Sequence, residues 1–216
     1  MNLNPKDFII TRKRKKYRFA LFHNSPLCFE FEEWPEGEAF DVLEMGAGTG
    51  LFSVALAERD ASSYVAVDVK ADRLQKGAYA AKEAGRENIR FLRARADQLE
   101  AVIPSSALEK IWVTFPDPFP KTRSAKHRLT HSQYLTLYQK WLRPDGVLYF
   151  KTDATNLFTW SLEQLVASGW RIQELSFDLH ESELPSEYKL RTTYEERYIG
   201  EGKPIHFVKA LPPVTR

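Results

Sequence analysis

Three glycines in alternate positions, Gly46-x-Gly48-x-Gly50, follow the apolar run Asp41-Val42-Leu43-Glu44-Met45 and open the stretch Leu51 to Glu58. Glycine lets a backbone turn sharply and approach a ligand closely. A helix start behind such a turn adds exposed N–H groups. Asp68 closes a second apolar run 22 residues beyond Gly46. An ionised carboxylate only accepts hydrogen bonds, and its two oxygens suit the two hydroxyls of a ribose. Asp97 follows a third run, Ile89 to Leu92, where an acid can face an adenine amino group. Each feature also has a plain structural reading, as a tight turn, a helix-capping acid and a turn cap. Together they indicate a nucleoside-bearing cofactor and leave NAD and S-adenosylmethionine both open.

A fourth segment adds a reactive-looking acid. Phe115-Pro116-Asp117-Pro118-Phe119-Pro120-Lys121 frames Asp117 with prolines. Each proline fixes its own φ and restricts the residue before it, so the acid sits on a stiff loop. Stiffness suits a group that must meet a reacting atom with small error. Lys121, Arg123, Lys126, His127 and Arg128 crowd the next positions. A rigid acid beside a cationic run implies an anionic substrate; the plainer alternative is a solvated surface loop.

These residues need elements to hold them. Asp41–Met45, Tyr64–Val69, Ile89–Leu92, Lys110–Phe115, Val147–Phe150, Trp170–Leu179 and Ile205–Val208 read as seven strands. Leu51–Glu58, Ala71–Ala84, a segment carrying Leu135, Tyr138 and Leu142, and Asn156–Ala167 read as helices between them. Thr130 is the expected N-cap of the third helix, and Pro144-Asp145-Gly146 the turn after it. Strand–helix alternation predicts an α/β fold, a mostly parallel sheet with helices on both faces. Ligands bind such sheets at the carboxyl ends of the strands, where all four acids lie.

The chain has 216 residues, 43% hydrophobic and 28% charged, ordinary for a globular protein. Its formal net charge of +2 is unevenly spread. Residues 1–23 carry seven cations against Asp7, or +6, which leaves −4 for the rest. A basic arm on a mildly acidic body suggests a polyanionic partner, unless the arm is merely a solvated tail. The single cysteine, Cys28, forbids an internal disulfide and fits a reducing compartment. The five histidines show no ligand spacing, so no metal site is expected. No apolar run approaches a membrane span or a signal peptide, so the expected location is cytoplasmic.

Four segments, between about residue 40 and residue 209, resemble the bacterial tRNA (guanine-N7-)-methyltransferase family. They are Asp41 to Gly50, Phe115 to Leu129, Lys151-Thr152-Asp153, and Thr192-Thr193-Tyr194-Glu195 followed by Arg197. The resemblance implies a Rossmann-like class I methyltransferase fold with seven strands, the last antiparallel. It implies a basic arm and lead-in over residues 1–38 and a methyltransferase domain over 39–216. The cofactor would be S-adenosyl-L-methionine and the substrate N7 of a tRNA guanine, at variable-loop position 46 in tRNA numbering. Glu44, Gly46, Gly48, Gly50, Asp68, Asp97 and Asp117 would line the cofactor, with Asp117 also catalytic. Lys121, Asp153, Thr192, Thr193, Tyr194 and Glu195 would contact the tRNA. The family includes monomers and homodimers. Three departures stand out: Asp68 where Glu is commoner, one methylene shorter; Phe119 in place of Trp, without the indole N–H; and a basic loop, Lys121 to Arg128, that is less dense in Lys, Arg and His than the family's.

Rival readings remain distinguishable. A methyltransferase of small molecules or proteins leaves both basic segments unexplained. An NAD-dependent oxidoreductase calls for GxGxxG and a hydride-transfer acid. A non-catalytic RNA-binding protein has no use for acids at 44, 68, 97 and 117.

Overall fold

The apolar runs that end at the glycines and acids fold as neighbouring strands. The computed structural model describes residues 13–191 and 193–214, in two units that divide between Val102 and Ile103.

In the first unit, β1 (Cys28–Glu30), β2 (Val42–Met45), β3 (Tyr64–Asp68) and β4 (Ile89–Arg93) lie in the order β1-β4-β3-β2, all parallel. The helices α2 (Leu51–Ala57) and α3 (Ala71–Glu83) are the crossovers. β2 and β3 are buried almost throughout, as strands covered on both faces must be. Helix α3 turns Leu74, Ala78 and Ala81 inward, the spacing expected of a helix with one apolar stripe. Gly77 lies on the same buried stripe.

In the second unit, β5 (Leu108–Thr114), β6 (Leu142–Thr152), β7 (Arg171–Ser176) and β8 (His206–Leu211) are ordered β5-β6-β8-β7. β5 and β6 are parallel, and β8 is antiparallel to both β6 and β7. α4 (Ser132–Trp141) links β5 to β6, and α5 (Thr155–Ala167) follows β6. Leu135, Tyr138 and Trp141 of α4 and Phe158 of α5 are completely buried. Trp112 and Tyr149 face each other across β5 and β6 and stack at 4.2 Å between ring centroids.

The parallel strands, the antiparallel last strand and the connecting helices follow the sequence expectation, with three corrections and one addition. The described residues hold eight strands, not seven, because β1 adds an edge beside β4. Three residues are too few to show an alternating pattern. The basic arm contributes an ordered helix, α1 (Lys13–His23), which packs on α3; the basic positions 6 and 12 lie outside the described residues. The N-cap of α4 is His131, whose Nδ1 accepts from the Gln133 amide at 3.3 Å. Thr130 is instead buried, its hydroxyl 2.6 Å from that of Ser161. Pro144-Asp145-Gly146 lies inside β6: Leu142 stands opposite Leu108 and Val147 opposite Lys110, so these residues bulge out between two paired positions.

Candidate functional site

Within the first unit, Glu44, the three glycines, Asp68 and Asp97 lie on or just after the neighbouring strands β2, β3 and β4; Asp117, also expected at the cofactor, belongs to the second unit. Gly46, Gly48 and Gly50 all have positive φ, at 70°, 56° and 69°. Residues other than glycine rarely adopt such values, which explains the alternate spacing. The turn is closed by its own backbone: the Gly50 amide donates to the Ala47 carbonyl at 2.8 Å, and the Ala47 amide to the Val67 carbonyl at 2.9 Å.

Asp68 binds this turn directly. One carboxylate oxygen accepts the Gly48 amide at 2.9 Å and the other accepts the Lys70 amide at 2.8 Å. Each oxygen keeps a further lone pair, which is what two vicinal hydroxyls need. Burial pushes the Asp68 carboxyl above the usual carboxylate range, against the pull of the Gly48 and Lys70 amides. Glu44, on β2, is 1% exposed and accepts a 2.6 Å hydrogen bond from the Ser53 hydroxyl of α2. Asp97 lies just after β4 and is exposed. Both its oxygens meet the guanidinium of Arg95, at 2.8 and 2.9 Å. That bidentate hydrogen bonding holds its carboxyl below the ordinary value.

Two supporting residues escaped the sequence reading. Ser53 fixes Glu44. Gly77 of α3 has no room for a side chain, since a Cβ there would press on the carbonyl oxygen of Thr49. The sequence did carry that signal, because a glycine inside a helix commonly marks a close approach.

Within the second unit, the proline-framed segment leaves the end of β5. The Phe115 amide donates to the Lys151 carbonyl of β6 at 2.9 Å. Phe115 and Phe119 have φ of 46° and 41°, in the left-handed region that costs bulky residues energy. Asp117 stands between them, exposed, and its carboxylate makes no hydrogen bond among the described residues. Lys121 is exposed and caps a short 3-10 turn, Thr122–His127, carrying the exposed Arg123 and Lys126. Arg128, the last of the cationic run, folds back: Nε donates to the carbonyls of Pro118 (3.2 Å) and Phe119 (3.3 Å), and Nη2 to that of Phe119 (3.0 Å). Its guanidinium carbon lies 4.4 Å from the centroid of the Trp160 ring on α5.

Asp153, partly exposed, follows β6 as expected. Thr192 and the side chains of Thr193 and Tyr194 lie outside the described residues. Glu195, in α6 (Thr193–Gly200), has no exposed surface. Its carboxylate lies 3.2 and 3.3 Å from Nζ of the equally buried Lys151, and 2.8 Å from Nε2 of His180. Lys151 also donates to the Leu190 carbonyl at 2.9 Å. Neither Lys151 nor His180 was singled out as a partner for Glu195, because the pairing joins three segments remote in sequence. No cluster of three or more His, Cys, Asp or Glu suited to a metal occurs among the described residues, and no described helix is long and apolar enough to cross a membrane.

Comparison with known proteins completes the description. Residues 38–208 match the family model described as "Putative methyltransferase". A tRNA (guanine-N(7)-)-methyltransferase of Lachnoclostridium phytofermentans is 38% identical over 170 residues, covering 78% of this chain and 79% of the relative. One of the same name from Brevibacillus brevis is 36% identical over 196 residues, covering 89% and 91%. Among solved structures, a 16S rRNA methyltransferase, KamB, superposes with a TM-score of 0.59 at 18% identity, covering 82% of this chain and 91% of that one. A SAM-dependent methyltransferase from Aquifex aeolicus gives 0.55 at 15% identity, covering 83% and 86%. These two likenesses establish the Rossmann-like class I methyltransferase fold.

Proposed function

The chain belongs to the tRNA (guanine-N(7)-)-methyltransferase family, and from that membership we infer that it transfers a methyl group from S-adenosyl-L-methionine to N7 of a guanine in tRNA. The observation that carries this reading to individual residues is the exposed Asp117 on a loop pinned near both ends, inside a match that spans residues 38–208. The target guanine is that of variable-loop position 46 in tRNA numbering, and a tRNA substrate implies a cytoplasmic location. Residues 39–216 work as the methyltransferase domain.

The first unit fits the cofactor. The spare lone pairs on Asp68 accept the ribose hydroxyls while its amide bonds keep the glycine turn in shape. The turn at Gly46, Gly48 and Gly50 lets the ligand approach the backbone. Glu44, held by Ser53, supplies a buried negative charge for the cationic part of the cofactor. Asp97, its orientation fixed by Arg95, would accept from the adenine amino group. When bound, the cofactor supplies a methyl group on a positively charged sulfur.

The second unit supplies the substrate residues. Guanine N7 carries a free lone pair and no proton, so the reaction needs no general base. Asp117 holds the guanine through its N1–H and N2–H donors and stabilises the positive charge that the ring acquires. Its contribution is alignment and electrostatics. N7 lies on an edge that is deep and narrow in A-form RNA, so the base is presented from a loop or displaced from its stack. Phe119, beside His127 at 5.6 Å, offers a flat face for it. Lys121, Arg123 and Lys126 hold phosphates, and Asp153 and residues 192–194 complete the substrate side, while the buried Glu195 is kept for Lys151 and His180.

The test is to incubate the protein with unmodified tRNA and methyl-labelled S-adenosylmethionine and map the label. Label at N7 of the variable-loop guanine is expected. Label at another base or atom would overturn the assignment, and no label would favour a binding protein.

A further inference from the structure

Five residues form the cationic run after Asp117, and their charge alone assigns all of them to phosphates. The geometry separates one. Lys121, Arg123, Lys126 and His127 are exposed. The half-buried Arg128 spends the Nε face of its guanidinium on two consecutive backbone carbonyls, Pro118 and Phe119. The flat side of the group lies over the Trp160 ring, where arginine gains from the ring's negative face. His131, the N-cap of α4, stacks on the same ring at 6.2 Å.

Those two carbonyls belong to the segment that carries Asp117. Phe119 has φ of 41°, so its peptide is turned away from the direction a continuing strand would give it. Such a carbonyl needs a donor from outside the backbone ladder. A guanidinium meets this need, since its N–H groups form a rigid fork; a lysine has no fork and no stacking face. At the other end of the segment, the Phe115 amide is fixed to β6. Asp117 therefore stands midway between two anchors, one made by the sheet and one by Arg128.

We propose that Arg128, backed by Trp160, is a positioning residue that holds the Pro118–Phe119 backbone and thereby orients Asp117, and that it is not one of the phosphate contacts. The role of Asp117 in this statement rests on the function inferred above, so the test has one readout that does not depend on activity.

The variants are Arg128→Lys, Arg128→Gln, Trp160→Phe and Trp160→Leu, with Lys126→Gln as the phosphate-contact comparison. Hydrogen exchange of the intact protein is measured first. Arg128→Lys and Trp160→Leu should speed exchange of the Phe115 and Ser124 amides, which are bonded to the Lys151 and Lys121 carbonyls on either side of the clamped segment, at least several-fold, while Trp160→Phe keeps the wild-type rate because it keeps an aromatic face. Unchanged exchange in Arg128→Lys overturns the clamp, whatever the enzyme does.

Kinetics and tRNA binding follow. Arg128→Gln removes the charge and Arg128→Lys keeps it, and in both the slope of log K against log salt should stay at the wild-type value if Arg128 contacts no phosphate. In Arg128→Lys, kcat should fall roughly 10- to 100-fold, the scale expected when a reacting group is misplaced by about 1 Å. Lys126→Gln should reduce that slope by about 0.7–0.9, one phosphate contact. Full kcat in Arg128→Lys removes the positioning role, and an Arg128→Gln slope reduced like that of Lys126→Gln makes Arg128 a phosphate contact; either result overturns the proposal. If exchange responds as expected but the wild-type protein does not methylate tRNA, the clamp stands and the functional reading fails. Circular dichroism on each variant separates loss of the clamp from loss of the fold; should Arg128→Lys not fold, Trp160→Leu against Trp160→Phe decides the matter.

Discussion

Gly77→Ala is the sharpest test of how the first unit holds its glycine turn. In the middle of an exposed helix this change is stabilising, because alanine exceeds glycine in helix propensity by about 1 kcal/mol. Here the new Cβ would press on the carbonyl oxygen of Thr49 and lie 2.5 Å from Cε1 and 3.0 Å from Cζ of Phe91. Phe91 is fully buried, and its ring is also the wall that a Cβ on Gly50 would meet at 2.6 Å. Neither neighbour can yield cheaply. Moving Thr49 moves the backbone on which Gly48 and Gly50 sit, and moving Phe91 drives it into that same turn. Overpacking of this kind costs about 1–3 kcal/mol. Because the nearest atom is backbone, the upper half of that range applies, and the net effect after the propensity gain is a loss of about 1–2 kcal/mol. For a chain of this length each kcal/mol moves Tm by about 2–4 °C, so Tm should fall by roughly 2–8 °C. Gly200, the last residue of α6, has nothing within 4 Å of the equivalent position. Gly200→Ala should therefore leave Tm unchanged or raise it. Calorimetric melts of both variants, with titration of S-adenosylmethionine, give the comparison. Gly77→Ala should also bind the cofactor more weakly. A Gly77→Ala protein as stable as Gly200→Ala, with full cofactor affinity, would refute the close approach of α3 to the turn.

Three further outcomes are expected. The Asp68 carboxyl is raised by burial, and only its ionised form accepts from both amides and from a diol. Cofactor affinity should thus decline as pH falls, starting above the usual aspartate range, and Asp68→Asn should weaken binding while removing that decline. A profile identical in both proteins, measured by calorimetric titration, rules out the ribose role. Asp117→Asn should lower kcat by roughly 10²–10³, as loss of one preorganised electrostatic group does, and Asp117→Ala by at least as much; full single-turnover activity in both removes Asp117 from the site. Glu195→Ala should strand the buried Lys151 ammonium and cost about 3–5 kcal/mol. The double variant with Lys151→Met should recover much of the Tm; a Glu195→Ala protein that melts normally but binds tRNA poorly would instead make the carboxylate a direct substrate contact.

What the sequence disclosed and what it hid follow one physical division. The glycine turn and the parallel strands were legible because each is a local necessity: only glycine tolerates positive φ at Gly46, Gly48 and Gly50, and a strand buried on both faces must be apolar throughout. Residue type was a poor guide wherever one charge can serve two purposes. Glu195 sits in a segment that resembles a substrate contact, yet its carboxylate is spent on Lys151 and His180. Arg128 reads as a phosphate ligand and is bonded to carbonyls. In each case the deciding partner is a backbone group or a side chain whose need for a hydrogen bond appears only after the chain has folded. The Phe119 carbonyl shows this most clearly. Proline on either side of Phe119 told the sequence reading that the loop was stiff. Proline has no N–H to offer, however, so a proline-rich turn leaves more carbonyls than amides to satisfy them. A stiff loop of this composition must import donors, and the richest donor nearby in sequence is arginine. In this chain the donor is Arg128, so one cation of the run that follows Asp117 is bonded to the loop itself.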